Sequence, residues 1–163
     1  MARSDLFLKV TGARTGAIEG ESQDKHFRNQ IDVVDWSWGM TSPSAIGGQR
    51  SGRTLLGDLK IVKRADKAST SLMNVMTNNE TMTVELSVRK AGGRSALPYY
   101  VVKLTSARIV AIEVASDFDR DGAPTLTERI SLTYTMIAID YTVQDETGGS
   151  LSGTSFLGTV SPV

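Results

Sequence analysis

Apolar and polar side chains alternate at every second position over much of this chain. The pattern is clearest in residues 82–89, where methionine, valine and leucine alternate with threonine, glutamate, serine and arginine. A period of two is typical of a β-strand with one buried and one hydrated face. Leu6, Leu8 and Val10 follow the same pattern. The chain is therefore predicted to be mainly β.

Three longer runs extend this prediction. Residues 99–104 and 109–114 are rich in β-branched and aromatic side chains, which favour strands. Residues 127–143 form the longest run, and its apolar positions change from even to odd numbers near Met136. Because successive side chains of a strand point to opposite faces, the change predicts a β-bulge or a change of strand partner near Met136.

One helix is predicted, within residues 66–79. Asp66 or Ser69 can cap its start, and Asn78-Asn79 can end it. A helix this short needs tertiary packing to form, so we expect it to lie against the sheet. The predicted architecture is a small antiparallel β-barrel with one short α-helix packed on it, in a single domain over residues 1–163. The apolar face of the helix is formed by Ala68, Leu72, Val75 and Met76.

Residues 31–40 are apolar on both faces of the predicted strand. Ile31 and Val33 lie on one face. A strand that is apolar on both sides needs cover on both sides. The cover is either the helix or a loop of the same chain, or a partner subunit, since aromatic-rich surfaces are typical of interfaces. The face of this predicted strand opposite Ile31 and Val33, which would need such cover, carries Val34, Trp36, Trp38 and Met40.

A long polar segment follows this strand. Residues 41–57 contain mainly serine, glycine and arginine, with Pro43 and few apolar side chains. A loop of this length is more often functional than a simple connection. We therefore expect it to be exposed and to make a functional contact.

Composition and charge exclude several classes of protein. The 163 residues include 18 Lys+Arg, 18 Asp+Glu and no cysteine. Zero net charge argues against a general nucleic-acid binder, and the lack of cysteine excludes disulfides, thiolate zinc sites and a cysteine nucleophile. No run approaches the roughly 18 apolar residues of a membrane helix. The first apolar stretch is short and broken by Asp5 and Lys9, so no signal peptide is expected.

Candidate catalytic residues are few. No phosphate-binding glycine loop and no Gly-x-Ser-x-Gly motif is found. His26, with Asp24 and Ser22 nearby, could serve a hydrolase, but a lone histidine is more often a surface or interface residue. We therefore expect no enzyme activity and no cofactor. The cations around the start of the helix are expected to be hydrated: Lys60, Lys63, Arg64 and Lys67.

A calcium-loop pattern occurs in residues 117–128. Its sequence, from Asp117 to Glu128, matches D-x-[DN]-x-[DN]-G-x5-E in full. The flanking segments alternate as strands, however, and not as the helices of an EF-hand, and Pro124 offers no backbone N–H. A hydrated hairpin loop is the preferred interpretation. A calcium-dependent β-domain that binds a partner remains an alternative.

Short motifs in a fixed order run through residues 5–145. They are Leu6-Phe7-Leu8-Lys9, Gly20-Glu21-Ser22 with Asp24 and His26, Ile31-Asp32-Val33, Trp36-Ser37-Trp38-Gly39, Asp58-Leu59 with Lys63, Asp66, Ser69 and Leu72, Arg89-Lys90-Ala91-Gly92-Gly93, Thr127-Glu128 with Leu132, Asp140-Tyr141 and Gln144. The ordered set resembles the haemolysin-coregulated protein (Hcp) family, the tube proteins of type VI secretion.

This resemblance implies a structural role in secretion. Six copies of a β-barrel form a ring, and the rings stack into a hollow tube inside a contractile sheath, capped by a spike protein. Contraction of the sheath injects the tube into a target cell, and the lumen can carry effectors. The implied partners are thus further copies of the chain, sheath, spike and effectors, with no nucleic acid and no membrane insertion. Assembly in the cytoplasm would precede export. The tube protein of another contractile injector or of a phage tail remains an alternative.

Two surfaces are predicted to make the assembly contacts. The ring contact is assigned to the outer face of residues 31–40, which carries Val34, Trp36, Trp38 and Met40. The stacking contact is assigned to the 41–57 segment through Arg50 and Arg53, as the extended loop of the family implies.

Overall fold

The computed structural model describes residues 5–43, 47–48, 53–90, 97–144 and 150–160. Eleven strands and one helix lie in these ranges. In chain order they are β1 (Leu6–Gly12), β2 (Gly16–Ile18), β3 (Ile31–Ser37), β4 (Met40–Thr41), β5 (Leu55–Leu56), β6 (Leu59–Arg64), α1 (Ser69–Thr77), β7 (Met82–Val88), β8 (Tyr100–Phe118), β9 (Pro124–Thr133), β10 (Met136–Gln144) and β11 (Ser150–Thr159).

Six antiparallel strands close into a barrel. Their order is β1-β3-β6-β9-β8-β7, and β7 pairs again with β1. β10 pairs with the first part of β8, and β11 pairs with β10, so a sheet extends beyond the barrel. The predicted small β-barrel with one short helix is confirmed.

The long strand β8 makes this closure possible. Residues 100–105 lie between β7 and β10, whereas residues 108–118 pair with β9. The strand bends between these parts, since Ser106 has a φ of 49° and the register shifts between Ile109 and Ala111. The two runs predicted at 99–104 and 109–114 therefore belong to one strand.

The phase change near Met136 marks the division of the sheet. β9 ends at Thr133 and β10 begins at Met136. β9 continues the barrel by pairing with β6, whereas β10 pairs with β11. Of the two predicted causes, the change of strand partner is the correct one.

Alternate side chains of the barrel strands form one core. Burying each large apolar side chain contributes about 1.5–3 kcal/mol relative to exposure. The side chains that form this core include Leu8 and Val10 of β1, Ile31 and Val33 of β3, Leu59 and Ile61 of β6, Val84 and Leu86 of β7, Val102 and Leu104 of β8, and Ile130 and Leu132 of β9.

The outer face of β1 is also covered. Phe7 points away from Leu8 but is buried, because Phe27 stacks on it with ring centroids 4.4 Å apart. The Arg89 guanidinium lies 5.2 Å from the centre of the Phe7 ring. The segment between β2 and β3 thus covers β1, which local alternation did not reveal.

The helix α1 packs on the core through Leu72 and Val75, which are buried. Met76 was predicted on the same face but is 37% exposed. The N-cap residue is Ala68 and has no side-chain cap, so the prediction of Asp66 or Ser69 at this position is wrong; the Asp66 carboxylate instead accepts the Ala68 N–H at 3.0 Å. The helix ends before Asn78, as predicted. Across the described ranges, no helix combines the length and apolar character needed to cross a membrane.

Candidate functional site

A β-bulge rearranges the predicted interface strand. β3 pairs with β6 through Val33 and Lys63, and the register then shifts before Asp35. As a result, Val34 is 51% exposed, whereas Trp36 packs against the core. The Trp36 ring lies 5.7 Å from that of Tyr100. The prediction that Val34 and Trp36 share one outer face is therefore wrong.

Trp38 is held at the edge of the core. Its Nε1 donates to the Tyr134 hydroxyl at 2.7 Å and to the Gly57 carbonyl at 3.1 Å. The Tyr134 hydroxyl donates to the same carbonyl at 2.6 Å, and burial raises the pKa of Tyr134 above its usual value. The Trp38 ring also lies 6.4 Å from that of Phe156. Trp38 thus fixes the point where the 41–57 segment rejoins the barrel.

The base of the 41–57 segment is a short hairpin. Met40 pairs with Leu56 as β4 and β5 align, and the Gly57 N–H donates to the Gly39 carbonyl at 2.9 Å. Met40 is 45% exposed and Leu55 is 60% exposed. An open depression of about 400 Å³ lies beside this base, lined by Ser37, Trp38, Gly39, Gly57, Asp58 and Lys60.

The predicted assembly residues therefore differ in exposure. Val34 and Met40 are exposed, but Trp36 and Trp38 are partly buried within their own chain. Arg53 is exposed, whereas Arg50 lies outside the described residues.

An apolar hairpin was missed by the sequence analysis. β8 and β9 continue past the barrel, and Val114, Leu126 and Phe118 are exposed there by 47%, 50% and 70%. All three lie on the same face of the hairpin as Ile112 and Ile130, which pair with each other inside the barrel, where this face packs on the core. The sequence contains a signal for this face, since Ile112 and Val114 lie two positions apart in a predicted strand, with Glu113 between them.

A buried ion pair links the barrel to the helix. Lys63 is fully buried, and its Nζ lies 2.6 Å from the Glu128 carboxylate and 2.9 Å from that of Asp66. The Ser69 hydroxyl lies 3.2 Å from Nζ and donates to Glu128 at 3.0 Å. The expectation that Lys63 is hydrated is wrong, because β6 directs it beneath the start of α1.

This ion pair also affects the calcium-loop pattern. Glu128, the last acidic position of the pattern, is directed to Lys63. The Asp119 carboxylate accepts the backbone N–H groups of Asp121 and Ala123 at 2.9 and 2.8 Å. No group of three or more potential metal ligands is found among the described residues.

The candidate histidine site is arranged around an arginine. Asp24 accepts a hydrogen bond from Arg89 at 2.7 Å, and this bond lowers the pKa of Asp24. Its other oxygen accepts the backbone N–H of His26. Ser22 is buried, and its hydroxyl accepts the Asp24 N–H at 3.2 Å. Within the described ranges, no recorded hydrogen bond joins the His26 ring to either residue.

Known proteins resemble this chain over most of its length. The family model described as "Type VI secretion system effector, Hcp" matches residues 7–141. Protein hcp1 of Pseudomonas aeruginosa is 29% identical over 153 residues, covering 91% of this chain and 90% of that protein. The crystal structure of a type VI secretion system effector from Yersinia pestis has a TM-score of 0.72 at 25% identity, covering 96% of this chain and all of that one. The secreted protein Hcp3 of P. aeruginosa shares the fold at 23% identity, with a TM-score of 0.67 and coverage of 94% and 98%. The chain therefore belongs to the Hcp family of type VI secretion.

Proposed function

We propose that this protein is the structural tube subunit of a type VI secretion system, with its residues 1–163 forming one domain. Six copies form a ring, and the rings stack into a hollow tube. The observation that carries the proposal is the family match over residues 7–141, on a chain whose structure is the predicted β-barrel.

Exposed apolar side chains support self-assembly. Monomeric soluble proteins rarely expose large contiguous apolar patches, and such patches often mark interaction sites. Here the apolar face of the β8–β9 hairpin is exposed, and Leu157 of β11 is 64% exposed. Val34 and Met40 add exposed apolar surface near β3 and remain candidates for the ring contact.

The 41–57 segment is the candidate stacking element. Its β4–β5 base is fixed to the barrel through Trp38 and Gly57. A rigid base would present the basic residues Arg50 and Arg53 to the next ring. Exposed Leu55 would contribute apolar contact beside them.

The wider assignment follows the family. The tube would assemble in the cytoplasm within a contractile sheath, carry a spike at its end and deliver effectors held in its lumen. The role is structural and needs no catalytic residue or cofactor. A tube protein of another contractile injector or of a phage tail is the second candidate, since it would use the same kind of ring.

Mass and shape in solution test the proposal. Light scattering should give six times the chain mass of 17.6 kDa, and negative-stain images should show annular particles. A protein that remains a single chain at all accessible concentrations would contradict the ring. A strain that lacks the chain should lose secretion while its sheath still assembles. This experiment tests to which secretion system the tube belongs.

A further inference from the structure

The extended sheet leaves one side of β8 open. Residues 108–118 pair with β9 on one side. On the other side, pairing with β7 ends at Ala107. Among the described residues, no backbone hydrogen bond joins residues 113–118 to another segment on that side. This six-residue edge is about 20 Å long, the usual length of a strand.

The second open edge is β11. It pairs with β10 on one side, and its other side has no strand partner within the described ranges. The register is regular from Ser152 to Thr159. Its sequence, SLSGTSFLGT, contains no charged residue and no proline. Charges, proline and bulges are the usual protections of an exposed edge. β11 has neither charge nor proline, and its one register shift lies at its start, between the residues that pair with Gln144 and Val143.

The two edges expose matching faces. Val114 and Phe118 lie on the core face of β8, since Ile112 on the same face pairs with buried Ile130. Phe156 lies on the core face of β11, because it pairs with buried Ile139. If the two edges were paired with their core faces aligned, exposed aromatic side chains of both would lie side by side.

We propose that the two edges pair with each other between copies, so that residues 113–118 of one subunit add to β11 of the next. Because the edges differ, the contact is heterologous, and each added copy presents one new edge of each kind. Only closure into a ring satisfies every edge. This inference rests on the proposed ring and names its main-chain contact, which differs from the contact predicted at β3.

Cysteine cross-linking tests the pairing, because the chain has no native cysteine. Ala115→Cys is made in one preparation, and Gly153→Cys, Ser155→Cys or Leu157→Cys in another. The three β11 positions lie on one face at two-residue spacing, so they sample three registers. Facing residues of paired strands have Cα atoms about 4.5–5.5 Å apart, which a disulfide can span.

The expected result is specific to mixtures. After mixing as monomers, assembly and oxidation, one β11 variant should form a disulfide-linked dimer with Ala115→Cys. Each variant alone should remain uncross-linked, since the proposed contact joins position 115 of one copy to β11 of the next and does not join two copies of the same residue. Thr70→Cys, exposed on α1, is the matched control in place of Ala115→Cys and should give no dimer.

Two outcomes would overturn the pairing. One is a normal ring in which none of the three registers cross-links. The other is a β11 variant that dimerises by itself, which would show symmetric β11–β11 pairing. Failure of the unmodified protein to form any ring would instead refute the proposed function.

Hydrogen exchange on the unmodified protein gives a second test that needs no variant. The amides of β11 and of residues 113–118 that face the open sides should exchange at least tenfold more slowly in the ring than in diluted monomer. Equal exchange in both states would overturn the pairing even if every cysteine variant misfolded.

Discussion

The buried Lys63 gives a quantitative prediction about stability. Its Nζ has four oxygen partners, at 2.6–3.2 Å: the carboxylates of Glu128 and Asp66, the Ser69 hydroxyl and the Arg64 carbonyl. Lys63→Met keeps the unbranched apolar stem of the side chain but removes the ammonium, and so leaves the Glu128 carboxylate buried without its cation. Removing one partner of a buried ion pair typically costs about 3–5 kcal/mol.

The measurement is urea or thermal unfolding at one fixed protein concentration, since assembly changes the apparent stability. We expect Lys63→Met to lower the free energy of unfolding by about 3–5 kcal/mol. For a chain of this size, that loss corresponds to a decrease in Tm of roughly 10 °C. Glu128→Gln should show a loss in the same direction, because it leaves the ammonium with one carboxylate partner.

A second ion pair supplies the matched control. Lys67 lies 3.5 Å from Glu19, but both side chains are more than half exposed. Exposed pairs contribute about 0–1 kcal/mol, so Lys67→Met should change the stability by no more than that.

A double variant tests the reasoning itself. Lys63→Met with Glu128→Leu removes both charges, and replacing a buried pair by apolar groups is often nearly neutral. The double variant should therefore be more stable than Lys63→Met alone. Glu128→Leu is also measured alone. If Lys63→Met costs less than about 1 kcal/mol, or if the losses of Lys63→Met and Glu128→Leu simply add in the double variant, the buried ion pair is not what couples the helix to the barrel.

Four further predictions concern other parts of the chain. Arg50→Glu with Arg53→Glu should shorten tubes in negative-stain images but leave the mass of the ring unchanged. Trp38→Phe removes two hydrogen bonds at the 41–57 base and should cost about 1–3 kcal/mol in urea unfolding. The pKa of Asp24 is lowered in the folded state from its ordinary value of 3.8. Its contribution to the free energy of unfolding is therefore present above pH 3.8 and is lost as the pH falls through the folded-state pKa. Asp24→Asn should therefore reduce the loss of stability measured in this acid range. Calorimetric titration with sub-millimolar calcium should give no binding heat, because Glu128 is held by an ion pair.

Local alternation predicted the barrel because each barrel strand has one face in a common core. Val84 and Leu86 are buried while Thr83 is exposed, as a period of two requires. The change of phase near Met136 also located the division of the sheet. These features depend on side chains that are close together in the sequence, so the sequence alone contains enough information to predict them.

The errors arose where a distant segment determines the environment of a residue. Phe7 is buried by Phe27, twenty positions away in the chain, and Lys63 is buried against Glu128 of another strand. Neither partner can be read from the alternation of β1 or β6. Trp36 was misplaced for a different reason, since the bulge before Asp35 shifts the phase of β3 without any glycine or proline to mark it.

The β8–β9 hairpin shows why an apolar pattern does not reveal what covers it. Apolar residues alternate from Ile112 to Val114 with no break where the barrel ends, yet Ile112 packs on the core and Val114 is 47% exposed. The pattern is the same whether the cover comes from the same chain or from another copy. Under the proposed edge pairing, the cover of Val114 and Phe118 comes from the next subunit. The structure of one chain therefore distinguishes the apolar side chains that the same chain covers from those that it leaves exposed, which the sequence pattern does not do.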